Sequence, residues 1–337
     1  MANKYTNVHR DPKGLGDARP TATQIIKDEG LEGKLSDQVI LITGASGGIG
    51  VETARALFLT GATLYLTARD LAKAKSALDD LVESDRVHLL ELDLSSLESV
   101  RQCAATFLSK SATLNILINN AGVGAPPEGR TKDGFETQIG INHFAHFLLF
   151  YLLEPALRAG AQASAQGTSS LKRQSRVITI SSLAHRYSEF KFDNFNFENG
   201  AYNAEMAYGS SKTANLWTSN EIDRRYGSQG IHAWAVQPGF TQTDLYRHMG
   251  EEGLNGLLSD PYMASIFKTT AQGAATTVWA AVAAELEGKG GGYAEDCQLA
   301  GPWDPNSHPV GPGTAPWAFD TDKAARLWDL SVKVLDL

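Results

Sequence analysis

Short apolar runs alternate with amphipathic stretches along most of the chain. Val39 to Ile42 is a β-branched run that passes directly into glycines at Gly44, Gly48 and Gly50. Ile49, Ala54, Leu57 and Phe58 then recur at helical spacing until Gly61, which predicts a buried strand, a tight turn and a helix start. Further strands are predicted at Thr63–Thr67, Val87–Leu92, Leu114–Ile118, Val177–Ile180 and Ile231–Val236, with Gly292–Gln298 as a seventh. Between them, Asp70 is placed to cap a helix carrying Leu71, Ala74, Leu78, Leu81 and Val82. Ser95-x-x-Glu98 has the form of a capping box for a helix reaching about Leu108. Longer helices are predicted from Phe135 toward Leu157, from Met206 to Tyr226 and from Thr270 to Glu285, with a last short helix near Asp322 to Val334.

Strands alternating with helices imply a parallel sheet covered on both faces. The expected fold class is therefore α/β: a single doubly wound Rossmann-type domain with about seven central parallel strands flanked by helices. The domain is assigned to 35–300, including a substrate flap at 240–268. Residues 1–34 are expected to be an extension on the surface, with one or two helical turns at Thr23–Glu29, and 301–337 a C-terminal tail. Residues 159–175 read as a polar surface loop.

Composition narrows the function. The chain has 337 residues, 42% hydrophobic, and a net charge of −8 without a basic block. That argues against nucleic acid and acidic membranes as partners. The longest greasy segment, Phe144 to Leu153, is interrupted by His146 and is too short for a membrane span. Cys103 and Cys297 supply neither a disulfide framework nor metal-ligand spacing. The expectation is a cytoplasmic protein with no metal.

Ligands of open α/β sheets gather at the carboxyl ends of strands. Gly44, Arg69, Asp93, Asn120, Ser182 and Pro238 all fall just after a predicted strand. The glycine turn would let backbone approach a pyrophosphate at a helix N-terminus. An acid after the second strand would hold a ribose 2′-hydroxyl; Arg69 stands there instead, suited to a 2′-phosphate. The alternative is a solvated arginine at a strand end. Tyr208 and Lys212 are spaced i, i+4, so they share a helix face. A neighbouring ammonium would lower the phenol's pKa and make it a usable acid/base, and Ser182 could bond the same substrate oxygen. Alone, such a pair is more often an ordinary surface pair.

Together, these motifs resemble the classical short-chain dehydrogenase/reductase family over nearly all of residues 36–300. The matching segments are T-G-A-S-G-G-I-G (Thr43–Gly50), L-D-L around Asp93, N-N-A-G (Asn119–Gly122), Asn142, I-S-S (Ile180–Ser182), Y-G-S-S-K (Tyr208–Lys212) and P-G-F-T-Q-T (Pro238–Thr243). All occur in the family's order. The resemblance implies that Tyr208 is the general acid/base, Lys212 tunes it and holds the nicotinamide ribose, and Ser182 polarises the substrate carbonyl. It further implies that Asn142 positions a relay water. Gly44, Ser46, Gly48, Ile49 and Gly50 would cradle the cofactor, with Asp93 and Leu94 at the adenine. Asn120, Ala121, Gly122, Pro238, Gly239, Thr241 and Thr243 would complete its site. Asn142 could instead be a locally satisfied helix amide, and Thr243 a helix cap.

Q-I-G-I-N-H-F-A-H-F-L-L and S-S-L-A-H-R are closest in pattern to the retinol dehydrogenase and WW-domain oxidoreductase branch. So is the gap of 26 positions between Ser182 and Tyr208. The implied function is an NADP(H)-dependent oxidoreductase, preferring NADP(H) to NAD(H), that moves hydride to or from a carbonyl/alcohol carbon of a lipophilic or aromatic small molecule. Tyr187, Phe190, Phe192, Phe195, Phe197, Tyr202, Tyr262, Met263 and Phe267 are the candidate walls, with packing of the flap as the alternative for each. The resemblance also implies a homo-oligomer. The rival readings are a non-redox isomerase or lyase on the same scaffold, and a non-catalytic NADP(H)-binding regulator.

Overall fold

A computed structural model describes residues 4–167, 171–241, 243 and 250–337. The strands are β1 (Val39–Thr43), β2 (Thr63–Ala68), β3 (Val87–Glu91), β4 (Ile116–Asn119), β5 (Ser175–Ile180), β6 (Ile231–Gln237), β7 (Gly292–Glu295) and β8 (Gln298–Leu299). Among the described residues they form one sheet in the order β3-β2-β1-β4-β5-β6-β7-β8. Pairings from β3 through β7 are parallel and in register, as in Leu41↔Tyr65 and Leu41↔Leu117. The order reverses between β1 and β4, so the carboxyl ends of these two strands form the crevice of a doubly wound sheet. β5 and β6 are buried at every position, as strands covered on both faces must be.

The helices are α1 (Thr6–His9), α2 (Ala22–Asp28), α3 (Gly48–Phe58), α4 (Leu71–Leu78), α5 (Leu97–Lys110), α6 (Thr137–Ile139), α7 (Ala145–Gln166), α8 (Ala204–Tyr226), α9 (Gly250–Ser259), α10 (Pro261–Ile266), α11 (Thr270–Val282) and α12 (Thr321–Val334). One apolar core joins α2, α3 and α11 to one face of the sheet; a second joins α5, α7, α8 and α12 to the other. Asp70 caps α4 as expected, accepting from Lys73 N. The cap of α5 is Ser96 rather than Ser95, because Ser95 is held by the Asp93 carboxylate.

Three expectations change. Residues 4–34 do not lie wholly on the surface: Ile25 and Ile26 of α2 are fully buried in the first core. The buried Arg19 also donates to Asp17 and to the carbonyls of Gly14, Ile266 and Phe267. Within 159–175, α7 continues to Gln166, since alanines at every other position favour helix; residues 168–170 lie outside the described set. Gly292–Gln298 is two strands rather than one. Asp296 and Cys297, both at φ 54°, turn the chain back from β7 into an antiparallel β8. Of the flap 240–268, residues 242 and 244–249 lie outside the described set.

Candidate active site

The glycine turn is built for close approach. Gly44 has φ 73°, and a Cβ on Gly50 would lie 2.3 Å from Gly44 O and 2.7 Å from Asn120 Nδ2. Gly47 precedes α3 without a side-chain cap, so the first N–H groups of the helix stay open to an anion. Ser46, Gly48 and Ile49 are half-buried beside them. A Cβ on Gly48 would meet Thr243 Cγ2 at 3.1 Å, and one on Gly273 would meet Thr241 Cγ2 at 2.2 Å and Ile49 Cδ1 at 3.5 Å. Residues from β1, α3, α11 and the segment after β6 thus converge on one cradle.

Asn120 clamps this turn. Its Nδ2 donates to Thr43 O, and the Asn120 and Ala121 N–H groups donate to Thr43 Oγ1. The Thr43 hydroxyl in turn meets His146 Nε2 at 2.9 Å, while His146 Nδ1 meets Asn142 O at 3.1 Å. A carbonyl only accepts, so the proton sits on Nδ1 and Nε2 accepts from Thr43. Burial pushes His146 down to about 4, keeping it neutral. Sequence reasoning noted His146 only as a break in an apolar run; a histidine buried in such a run is itself the signal for a satisfied polar link.

Asn142 lies in a π-helical turn, Gly140–Phe144, between α6 and α7. Its Oδ1 accepts from Val123 N, and its Nδ2 donates to Val123 O and Ser211 Oγ. The side-chain amide is thereby held between the loop after β4 and Ser211 of α8. It remains near Lys212: a Cβ on Gly122 would lie 3.1 Å from Asn142 Oδ1 and 3.6 Å from Lys212 Nζ.

Ser182, Tyr208 and Lys212 come together at the carboxyl end of β5. The Ser182 hydroxyl accepts from Ala184 N at 3.2 Å and lies near enough to the Tyr208 phenol to favour its ionised form. Lys212 Nζ donates to Ile180 O at 3.0 Å and sits 5.4 Å from the Tyr208 ring centroid. The turn Leu183–Arg186 can approach α8 because Gly209 faces it; a Cβ there would lie 2.6 Å from Ala184 O. Burial dominates both pKa values. It raises Tyr208 to about 12 against the opposing effect of the nearby Ser182 hydroxyl, and lowers Lys212 to about 7. Lys212 is not among the groups that move the phenol: its Nζ lies over the ring face and is held by Ile180 O.

His185, also missed, braces this centre. Its Nε2 accepts from Ala315 N at 3.0 Å, so Nδ1 carries the proton donated to Ser182 O at 2.7 Å. Trp317 Nε1 donates to His185 O, which ties the C-terminal tail to the catalytic-side turn.

Arg69 is exposed and makes no hydrogen bond or ion pair among the described residues. Asp93 is engaged by Ser95 and by Lys132 at 2.9 Å, which hold its carboxyl low against the upward push of burial. Leu94 is buried next to it. Pro238 and Gly239 follow β6; Pro238 O accepts from Lys268 Nζ.

A cavity of about 920 Å³ opens at the carboxyl ends of β6 and β7. Phe240, Tyr262, Ile266, Gln237, Glu295 and His9 are among its lining residues. Ser182, Tyr208 and Lys212 are not in its described wall; Gln237 joins the two regions, because its Oε1 accepts from Leu183 N. Most candidate aromatic walls are core instead. Phe190 and Phe197 are buried, Phe192 stacks on Trp217, and Phe195 packs on Phe144. Met263 and Phe267 are buried, Tyr202 donates to Pro126 O, and Tyr187 is exposed.

A glycine cradle at the switch point of a doubly wound sheet, with Ser, Tyr and Lys converging beside it, defines a nicotinamide-dependent oxidoreductase of the short-chain type. The short chain dehydrogenase family profile matches residues 38–253, and the chain belongs to that family, on its retinol dehydrogenase-like branch. It is similar to short-chain dehydrogenase/reductase prx1 of Penicillium roqueforti, 49% identical over 334 residues, which cover 99% of this chain and 95% of the relative. It is also similar to retinol dehydrogenase 12 of Homo sapiens, 36% identical over 90% of this chain and 88% of the relative. Among solved structures, the Pseudomonas aeruginosa RhlG/NADP active-site complex is 27% identical with a TM-score of 0.59, over 78% of this chain and 98% of that one. No described helix is long and apolar enough to cross a membrane.

Proposed function

We propose that the chain is an NADP(H)-dependent carbonyl reductase or alcohol dehydrogenase for a lipophilic or aromatic small molecule, with Tyr208 as its general acid/base. The convergence of Ser182, Tyr208 and Lys212 beside the glycine cradle carries this reading. The bound nicotinamide would supply or accept the hydride. Ser46, Gly48, Ile49 and the open N–H groups of α3 would hold its pyrophosphate. Leu94 and Asp93 would flank adenine, and Ala121 and Gly122 would line the path toward Lys212. Pro238, Gly239, Thr241 and Thr243 would close the nicotinamide end.

A phenol that keeps its proton at neutral pH is set to donate it to a forming alkoxide, and Ser182 is placed to bond the same oxygen. Lys212 would steady the ribose and add positive charge nearby. Asn142 acts here as a clamp on Val123, holding Gly122 against Lys212. The NADP preference rests on unpaired Arg69 after β2, and the similar RhlG complex contains NADP. Phe240, Tyr262 and Ile266 supply apolar wall for the substrate. Buried Cys103 and Cys297, which form no disulfide among the described residues, fit a reducing, cytoplasmic setting.

Reduced-nicotinamide consumption, followed with NADPH and NADH against lipophilic aldehydes and ketones, tests the reading. Turnover with NADPH, lost at least 10³-fold (roughly the scale of an acid/base contribution) in Tyr208→Phe while NADPH still binds, is the expected result. Full activity in Tyr208→Phe would refute the acid/base role. Tight NADPH binding without oxidation by any carbonyl would favour a regulator or non-redox chemistry.

A further inference from the structure

We propose that Glu295 is a specificity-determining residue that donates a hydrogen bond to a neutral oxygen acceptor on the part of the substrate remote from the reacting carbon. The inference rests on the carbonyl/alcohol reading above and names the chemistry of the substrate's far end. Glu295 ends β7, is 5% exposed, and lines the 920 Å³ cavity. One of its oxygens, Oε1, accepts from Gly313 N at 2.5 Å. The other has no partner among the described residues and is not sealed inside the protein, so the cavity is its remaining outlet.

The surroundings of Glu295 favour its acid form. Burial, then the neighbouring Asp296, push Glu295 up to about 8, opposed by the Gly313 N–H, by Arg186 from the turn after β5 and by Lys268 from the segment before α11; the phenols of Tyr262 on α10 and Tyr293 on β7 also face it. His9 of α1 faces Asp296 at 3.8 Å rather than Glu295. Since Gly313 donates to Oε1, the proton resides on Oε2 and points to the open side. The cavity's buried cations are already engaged: Lys268 by Asp296 at 2.7 Å, Arg19 by Asp17 and backbone carbonyls. Farther out, Lys13 pairs with Asp11 and Arg10 is exposed at the rim, away from the buried wall that Glu295 forms. A neutral ether, ester or ketone oxygen therefore fits this wall better than an anion. Glu295 pairs across the sheet with Gln237, whose side chain bonds the residue after Ser182. Two strand spacings separate β5 from β7, roughly 10 Å, which sets the span between reacting carbon and acceptor.

Two isosteric ketones test this: 4-(4-methoxyphenyl)butan-2-one, with an acceptor at about that span, and 4-(4-ethylphenyl)butan-2-one, without one. Dissociation constants by ligand-observed NMR with NADPH present, and kcat/KM for each ketone, are measured from pH 6.5 to 9.5. The methoxy ketone is expected to be favoured roughly three- to tenfold at pH 6.5, the preference fading as Glu295 ionises. Glu295→Gln, which keeps an acceptor for Gly313 and an N–H donor, should hold the preference at all pH values. Glu295→Leu should remove it. A wild-type ratio near one, a flat wild-type pH profile, a ratio unchanged in Glu295→Leu, or binding of neither ketone would overturn the proposal. Should Glu295→Leu fail to fold, the contrast between wild type and Glu295→Gln decides. Preferential binding without turnover would instead reject the carbonyl/alcohol reading and leave the Glu295 contact standing.

Discussion

Replacing Ile26 by alanine separates a surface extension from an integral one. Ile26 has no exposed surface and packs with α3 and α11 in the core that covers one face of the sheet. Removing three buried carbons there loses their transfer free energy and leaves a cavity, for a total of about 2–5 kcal/mol. At about 2.1 cal/mol/K per residue, an unfolding entropy for 337 residues is roughly 0.7 kcal/mol/K. A loss of about 3 kcal/mol then lowers Tm by roughly 4 °C. Calorimetry of wild type and Ile26→Ala, with Lys27→Ala as a control on the same helix, reads the difference directly. An unchanged Tm in Ile26→Ala would mean that α2 unfolds ahead of the domain, and the packing argument would be wrong.

Other variants probe the site itself. Arg69→Ala should raise the Kd for NADPH by about ten- to a hundredfold and leave NADH nearly unchanged, on the scale of one charge-assisted contact; equal losses by fluorescence titration would remove the 2′-phosphate role. Gly50→Ala should abolish binding of both cofactors, because a methyl 2.3 Å from Gly44 O cannot fit without opening the turn; retained affinity would show that the turn yields. His185→Asn keeps a donor for Ser182 O but loses the acceptor for Ala315 N, whereas His185→Gln does the reverse. If the serine contact matters for chemistry, kcat should fall further in His185→Gln than in His185→Asn, with KM moving less than kcat. Equal kcat values would assign His185 to folding alone.

The sheet was legible because its strands are covered on both faces. Val39–Ile42 and Ile231–Val236 read as apolar runs, broken only by His232 and ended by glycine or proline within two residues, a pattern that turns and helices rarely imitate. Ser182, Tyr208 and Lys212 were legible through their order and spacing. What escaped depended on contacts distant in sequence. Ile25 and Ile26 form one apolar pair in a polar segment, too short for a period, and only α3 and α11 make them core. Phe190, Phe192 and Phe195 looked like substrate walls because aromatic residues suit both roles; Trp217 and Phe144 decide for packing. The turn at Asp296 and Cys297 was hidden because neither residue marks a left-handed backbone as glycine would.

The links that sequence motifs left out explain why the motif residues stay where they are. Thr43 ends β1, accepts two N–H groups from the loop after β4, and donates to His146 on α7. His146 passes the connection to the carbonyl of Asn142, whose amide holds Val123 and Ser211, the residue before Lys212. Each group in this chain has its donor and acceptor matched, so no member can turn without leaving a buried polar atom unpaired, at about 1–3 kcal/mol each. The chain connects the glycine cradle to the helix that bears Tyr208 and Lys212, two halves of a site contributed by opposite sides of the switch point. A neutral His146 is essential to it, because protonation would put a second donor against the Thr43 hydroxyl. With burial holding His146 down to about 4, the link persists across the neutral range and breaks only in acid.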